Sequence, residues 1–145
     1  KTHSFNMVGM PTETPRMVLD TIKLNAKVRP SELQVSIFYP FPGTQLWELC
    51  EKEGILDQSG HTIVDFFTES ILRQPSMSQR QVLFYHHRFH ALVRIYQWAM
   101  RNGSTDSNWR VKFLDTLLVQ EPSRRVLAFI ISALRPIRYL RRKIE

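Results

Sequence analysis

A period-two alternation opens the chain. In residues 3–9, HSFNMVG, Phe5 and Met7 alternate with Ser4, Asn6 and Val8, as in a strand. Gly9, Pro11 and Thr12 mark a loop. Thr14 followed by Pro15 signals a helix start: the threonine hydroxyl accepts from free backbone N–H groups, and proline loses nothing at the first helical position. Val18, Ile22 and Ala26 then recur at helical spacing until Pro30. ELQVSIFY resumes the alternation, with Leu33, Val35 and Ile37 on one face and Gln34, Ser36 and Phe38 on the other. After Pro40-Phe41-Pro42-Gly43, Thr44 can cap a short helix carrying Leu46, Leu49 and Cys50, with Gly54 as its terminator.

Strand, about a dozen helical residues, strand is the spacing of a βαβ unit, so the two strands are expected to be parallel neighbours. Their apolar faces should pack on the helices. The small polar positions Ser4, Asn6, Gln34 and Ser36 should then face a barrel interior or a cavity. Two strands alone leave open edges, so further strands are expected before residue 1. The start at Lys1-Thr2-His3, without an initiator Met or a signal-peptide pattern, fits a chain that begins inside a longer protein.

The second half is helical. A connector with a short strand near residues 63–67 leads to Ser78-x-x-Gln81, a capping box. From there Val82, Tyr85, Phe89, Leu92, Val93, Tyr96, Ala99 and Met100 hold helical spacing as far as Asn102-Gly103. Asp106 or Ser107 should cap a helix reaching about Val119, and Pro122 should open another carrying Val126, Ile130 and Leu134 before Pro136. Two segments follow: residues 1–76, strands and helices with the connector, and residues 77–145, a helical and basic extension.

Charge sharpens that division. Residues 1–76 hold seven Lys/Arg and nine Asp/Glu, whereas residues 77–145 hold thirteen and four. The tail Arg135, Arg138, Arg141, Arg142, Lys143 reads first as a solvated terminus. A membrane surface or nucleic acid is the weaker alternative for it. No run approaches the roughly 18 apolar residues of a membrane span. The single cysteine, Cys50, excludes an internal disulfide, points to a reducing, cytoplasmic setting, and reads as a small buried apolar residue. His86, His87 and His90 invite a metal reading, but His87 stands where a zinc-protease helix needs Glu. Histidines beside an apolar stripe are the simpler reading, and no metal ligand is assigned.

Two turns carry a family resemblance. Gly9-Met10-Pro11-Thr12-Glu13-Thr14 and Tyr39-Pro40-Phe41-Pro42-Gly43-Thr44 each end a strand and enter a helix. Residues 3–56 thereby resemble the last third of a radical S-adenosylmethionine domain, closest to the branch with an N-terminal cobalamin-binding domain. The resemblance implies an α/β fold: a fragment of a partial β/α, TIM-like barrel with two parallel strands and their helices, followed by a mainly α-helical extension. It implies a parent iron–sulfur enzyme that cleaves S-adenosylmethionine reductively and modifies an organic substrate by radical chemistry, with cobalamin as a further cofactor in some members. The family's cysteines for a four-iron four-sulfur cluster follow the first strand and are not in this chain, so the chain alone is not expected to be active. Its partners would be the missing barrel strands of the parent, or further copies of itself. By resemblance Phe38, Tyr39, Phe41, Pro42 and Gly43 lie near the adenine, with Val8, Gly9 and Met10 beside them.

Thr12 stands where the family has glycine, so either the turn differs or the glycine serves only close approach. Glu13 reads as a structural carboxylate rather than an acid/base. A reading from another class also stands: a non-enzymatic helical interaction module whose basic tail docks on a partner or membrane surface.

Overall fold

The computed structural model describes residues 1–56, 70–102 and 108–120. The elements are β1 (His3–Val8), α1 (Pro15–Val28), β2 (Glu32–Ile37), α2 (Gln45–Lys52), α3 (Gln79–Ala99), a 3-10 turn Met100–Asn102, and α4 (Trp109–Val119). The short strand expected near 63–67, the helix expected after Pro122 and the basic tail lie outside the described residues. The class is α/β, with β1 and β2 parallel and paired from His3↔Glu32 to Val8↔Ile37.

Capping chemistry sets the helix ends. Thr14 Oγ1 accepts from the Met17 N–H at 3.4 Å, with Pro15 in the first turn. Ser78 and Gln81 form the reciprocal box: Ser78 N–H donates to Gln81 Oε1 at 2.9 Å, and Gln81 N–H to Ser78 Oγ at 3.2 Å. Gly54, at φ 63°, follows α2. For α4 the cap is Asn108, not Asp106 or Ser107. Its Oδ1 accepts from the Arg110 N–H at 3.1 Å while its Nδ2 donates to the Ala99 carbonyl at 2.6 Å. A side-chain amide serves both bonds at once.

The sheet face that meets α1 differs from expectation in β1. Register puts Ser4, Asn6 and Val8 on the same face as Leu33, Val35 and Ile37, and that face is the one α1 covers. Phe5 (77% exposed) and Met7 (46%) point away from it. The polar positions are satisfied on the helix side by Asn25, buried on α1. Ser4 Oγ donates to Asn25 Oδ1, and Asn25 Nδ2 donates to Asn6 Oδ1, both at 2.7 Å. Polar residues can therefore sit on the packed face because one helix residue answers both of them. Around this network Val18, Leu19, Ile22 and Ala26 of α1 and Val8, Val35 and Ile37 of the strands are buried.

The outer edge of β2 is covered by a helix. His90 Nε2 lies 2.9 Å from the Leu33 carbonyl oxygen, and His86 hydrogen-bonds the Val35 backbone. Leu33 and Val35 are the β2 positions whose backbone groups face away from β1, which β2 meets through the alternate residues. Four residues of helix rise about 6 Å and two of strand about 6.6 Å, so histidines one turn apart match alternate carbonyls. The helix thus belongs with the strands. By compactness the chain divides into Lys1–Trp98 and Ala99–Glu145. Among the described residues, no strand pairs the other edge of β1.

Burial first, then the charge of His87, holds the His86 ring below the usual histidine pKa of 6.5. The Val35 bond opposes this, and His90 adds to it. The unfolded chain therefore takes up the proton more readily, and stability should fall as the pH drops below about 6.5. Urea unfolding between about pH 7 and pH 5 should show a falling midpoint in the native chain. His86→Gln, neutral and still able to donate an N–H, should flatten that fall.

Candidate ligand site at the strand tips

Because β1 and β2 run parallel, the turns that follow them emerge at the same end of the sheet. Phe38 N–H donates to the Val8 carbonyl at 2.8 Å, so the pairing continues to the base of both turns. The turns also share a construction. In Met10-Pro11-Thr12-Glu13 the Glu13 N–H donates to the Met10 carbonyl at 3.0 Å, and Thr12 has φ 65°. In Phe41-Pro42-Gly43-Thr44 the Thr44 N–H donates to the Phe41 carbonyl at 3.2 Å, and Gly43 has φ 82°. Proline second, positive φ third and a closing hydrogen bond are the marks of a type II turn. A threonine then caps the next helix in each case, with Thr44 Oγ1 accepting from Trp47 N–H at 3.3 Å.

Neither reading of Thr12 describes what the position does, because its φ is positive. The turn keeps the conformation that favours glycine, with a β-branched residue in it. At Gly43 the same conformation, rather than crowding, calls for glycine, since an added Cβ would meet nothing within 4 Å. Gly9 has both reasons. Its φ is 85°, and a Cβ there would stand 2.9 Å from Val82 Cγ1 on α3.

Glu13 ties the first turn together. Its Oε2 accepts from the N–H groups of Gly9 at 2.6 Å and Met10 at 3.2 Å. The residue is 8% exposed, and burial raises its pKa while the two N–H donors pull it partly back. A carboxylate spent on two backbone donors is a structural tie.

The eight residues expected near the adenine separate into two groups. Val8 and Phe38 are buried, Phe38 in a cluster with Cys50, Ile55, Ile71 and Leu72, so their side chains serve the core. Gly9 is buried too. Met10, Phe41, Pro42 and Gly43 are exposed, and Tyr39 is half-buried against that cluster. Tyr39 and Phe41 meet edge-to-face at 5.6 Å between ring centres, leaving Phe41 (55% exposed) as an aromatic surface at the strand tip.

Cys50 is fully buried, and burial pushes its thiol pKa up. Among the described residues, no group of three His, Cys, Asp or Glu side chains is placed to hold a metal ion. Nor is any helix there long and apolar enough to cross a membrane. One feature carries no mark in the sequence pattern: a shallow open groove lined by Arg73, Gln74, Pro75, Ser78 and Gln79. The buried Gln74 amide makes no hydrogen bond.

No protein-family model, curated protein or solved structure matches this chain.

Replacing Thr12 by glycine should relieve the left-handed strain and raise unfolding stability by about 1 kcal/mol, read by urea denaturation. Glu13→Ala should lose about 2 kcal/mol by stranding the buried Gly9 N–H and the part-buried Met10 N–H. Glu13→Gln, which keeps an acceptor and removes the buried charge, should lose less. Its stability should also lack the native decline as pH rises from the ordinary glutamate value through the raised one.

Proposed function

We propose that residues 3–56 form one wall of an S-adenosylmethionine pocket at the tips of two barrel strands. The chain would be the carboxy-terminal portion of a radical S-adenosylmethionine enzyme acting on an organic substrate. The observation that carries this reading is the parallel register, which sets two proline turns of matching construction side by side at the carboxyl end of the strands. Ligands of parallel β/α proteins gather at that end. Phe41 offers a face for the adenine. Pro42 withholds an N–H donor at the exposed turn, which leaves apolar carbon beside that ring. Met10 and Gly43 flank it.

The four-iron four-sulfur cluster does not fit the residues of this chain. The sole cysteine is enclosed by Phe38, Ile55, Ile71 and Leu72, with its thiol held protonated by burial. The role assigned to this wall is to seat the nucleoside, and reductive cleavage belongs to the parent protein with its own cluster ligands. Cobalamin, where the parent uses it, is held by a separate domain in the branch that this sequence resembles, so no residue here is assigned to it.

Titrating the chain with S-adenosylmethionine and following backbone amides by NMR should give weak, saturable shifts within residues 8–14 and 38–45. Only one wall is present, so the dissociation constant should be about a millimolar. Phe41→Ala, at an exposed position, should abolish the shifts without loss of fold. The coding sequence upstream supplies an independent check. The reading requires Cys-x-x-x-Cys-x-x-Cys in the same frame, and its absence there overturns it.

A further inference from the structure

The second compact unit carries an aromatic face that the core does not use. On α4 the buried positions are Val111, Leu114 and Leu118, the i, i+3, i+7 stripe of a packed helix. On the opposite side stand Trp109, 70% exposed, and Phe113, 60% exposed, one helical turn apart. Lys112 and Thr116 are exposed beside them, and the Arg110 guanidinium lies 5.8 Å from the centre of the Trp109 ring. A helix that is apolar on both faces has lost its amphipathic contrast, and a solvated helix has no need of the second apolar face. Single exposed apolar residues need no explanation, but two aromatics on one face flanked by cations mark a contact surface.

We infer that this face of α4 docks on an anionic lipid surface, with Trp109 and Phe113 entering the headgroup boundary and Lys112 and Arg110 meeting lipid phosphates. Charge complementarity selects the partner: residues 99–145 contain ten Lys/Arg and four Asp/Glu. Side-chain chemistry selects it too, since tryptophan beside cations suits the boundary between acyl chains and headgroups. The sequence after α4 continues in the same composition, VLAFIISAL at 126–134 followed by five basic residues between 135 and 143. Single-stranded nucleic acid would need open ring faces for stacking. The arginine packed on Trp109 occupies one such face. The inference concerns α4 alone and is independent of the pocket assigned to the first unit.

Sedimentation of the full chain with vesicles tests it. The chain should pellet with phosphatidylcholine vesicles containing phosphatidylglycerol, much less with pure phosphatidylcholine, and less again as salt is raised. The double variant Trp109→Ser/Phe113→Ser, changed at exposed positions and checked for native circular dichroism, should lose at least about tenfold in partition. Lys112→Glu should lose several-fold while keeping both rings. Failure to pellet with anionic vesicles overturns the inference. So does an unchanged partition of the double variant, which would assign binding to the basic tail alone. Tighter binding to single-stranded DNA than to vesicles, lost with the same two rings, would replace lipid by nucleic acid.

Discussion

The first unit depends on how the outward backbone groups of β2 are answered. A two-stranded parallel sheet leaves a row of carbonyls and N–H groups on each side, and leaving them buried without partners is costly. Here the Leu33 and Val35 carbonyls are met by His90 and His86 from α3. The match between one helical turn and two strand residues makes this possible, and it fixes both the direction and the height of α3 along the sheet. The helix brings Val82 against Gly9, where only a glycine leaves room for it. Two of the three histidines that invite a metal reading, His86 and His90, are thus engaged by the backbone, and burial lowers the basicity of His86 against the pull of its Val35 bond.

The strand tips show how a loop can be specified twice by the same chemistry. Proline presets one residue of each turn, a positive φ follows, and a threonine hands the chain to the next helix. Gly43 takes the positive φ without strain, and Thr12 takes it with strain. Glu13 ties the first turn through two N–H groups, and in the second turn the Thr44 hydroxyl donates to the Phe41 carbonyl at 2.7 Å. The two turns are therefore similar in path and differently tied. The exposed second turn carries Phe41, and the first carries the buried Gly9 at its base.

Legibility from sequence varied with the range of the interaction. Thr14, Ser78 with Gln81, Thr44 and Gly54 were readable because a cap involves residues three or four apart. The α1 stripe was readable for the same reason. The face of β1 was not, because alternation gives two sides without saying which is buried. Asn25, nineteen residues from Asn6, reverses the choice. The eight candidate ligand residues were found by likeness to a motif, and burial then set Val8 and Phe38 in the core. The aromatic pair on α4 escaped notice because an exposed Trp and Phe look in sequence like two more core positions.

What the sequence by itself determined is the order of elements, the caps, the parallel βαβ connection and the two proline turns. All of these follow from local sterics and hydrogen bonding within a few residues or from the length of a crossover. Tertiary structure decided which sheet face is covered, which residues at the strand tips remain open, and where α3 belongs. Those choices rest on contacts between residues far apart in the chain, such as Asn25 with Asn6, Val82 with Gly9, and His90 with Leu33. A side chain's chemistry says what it can bond to, and only the fold says which partner is within reach.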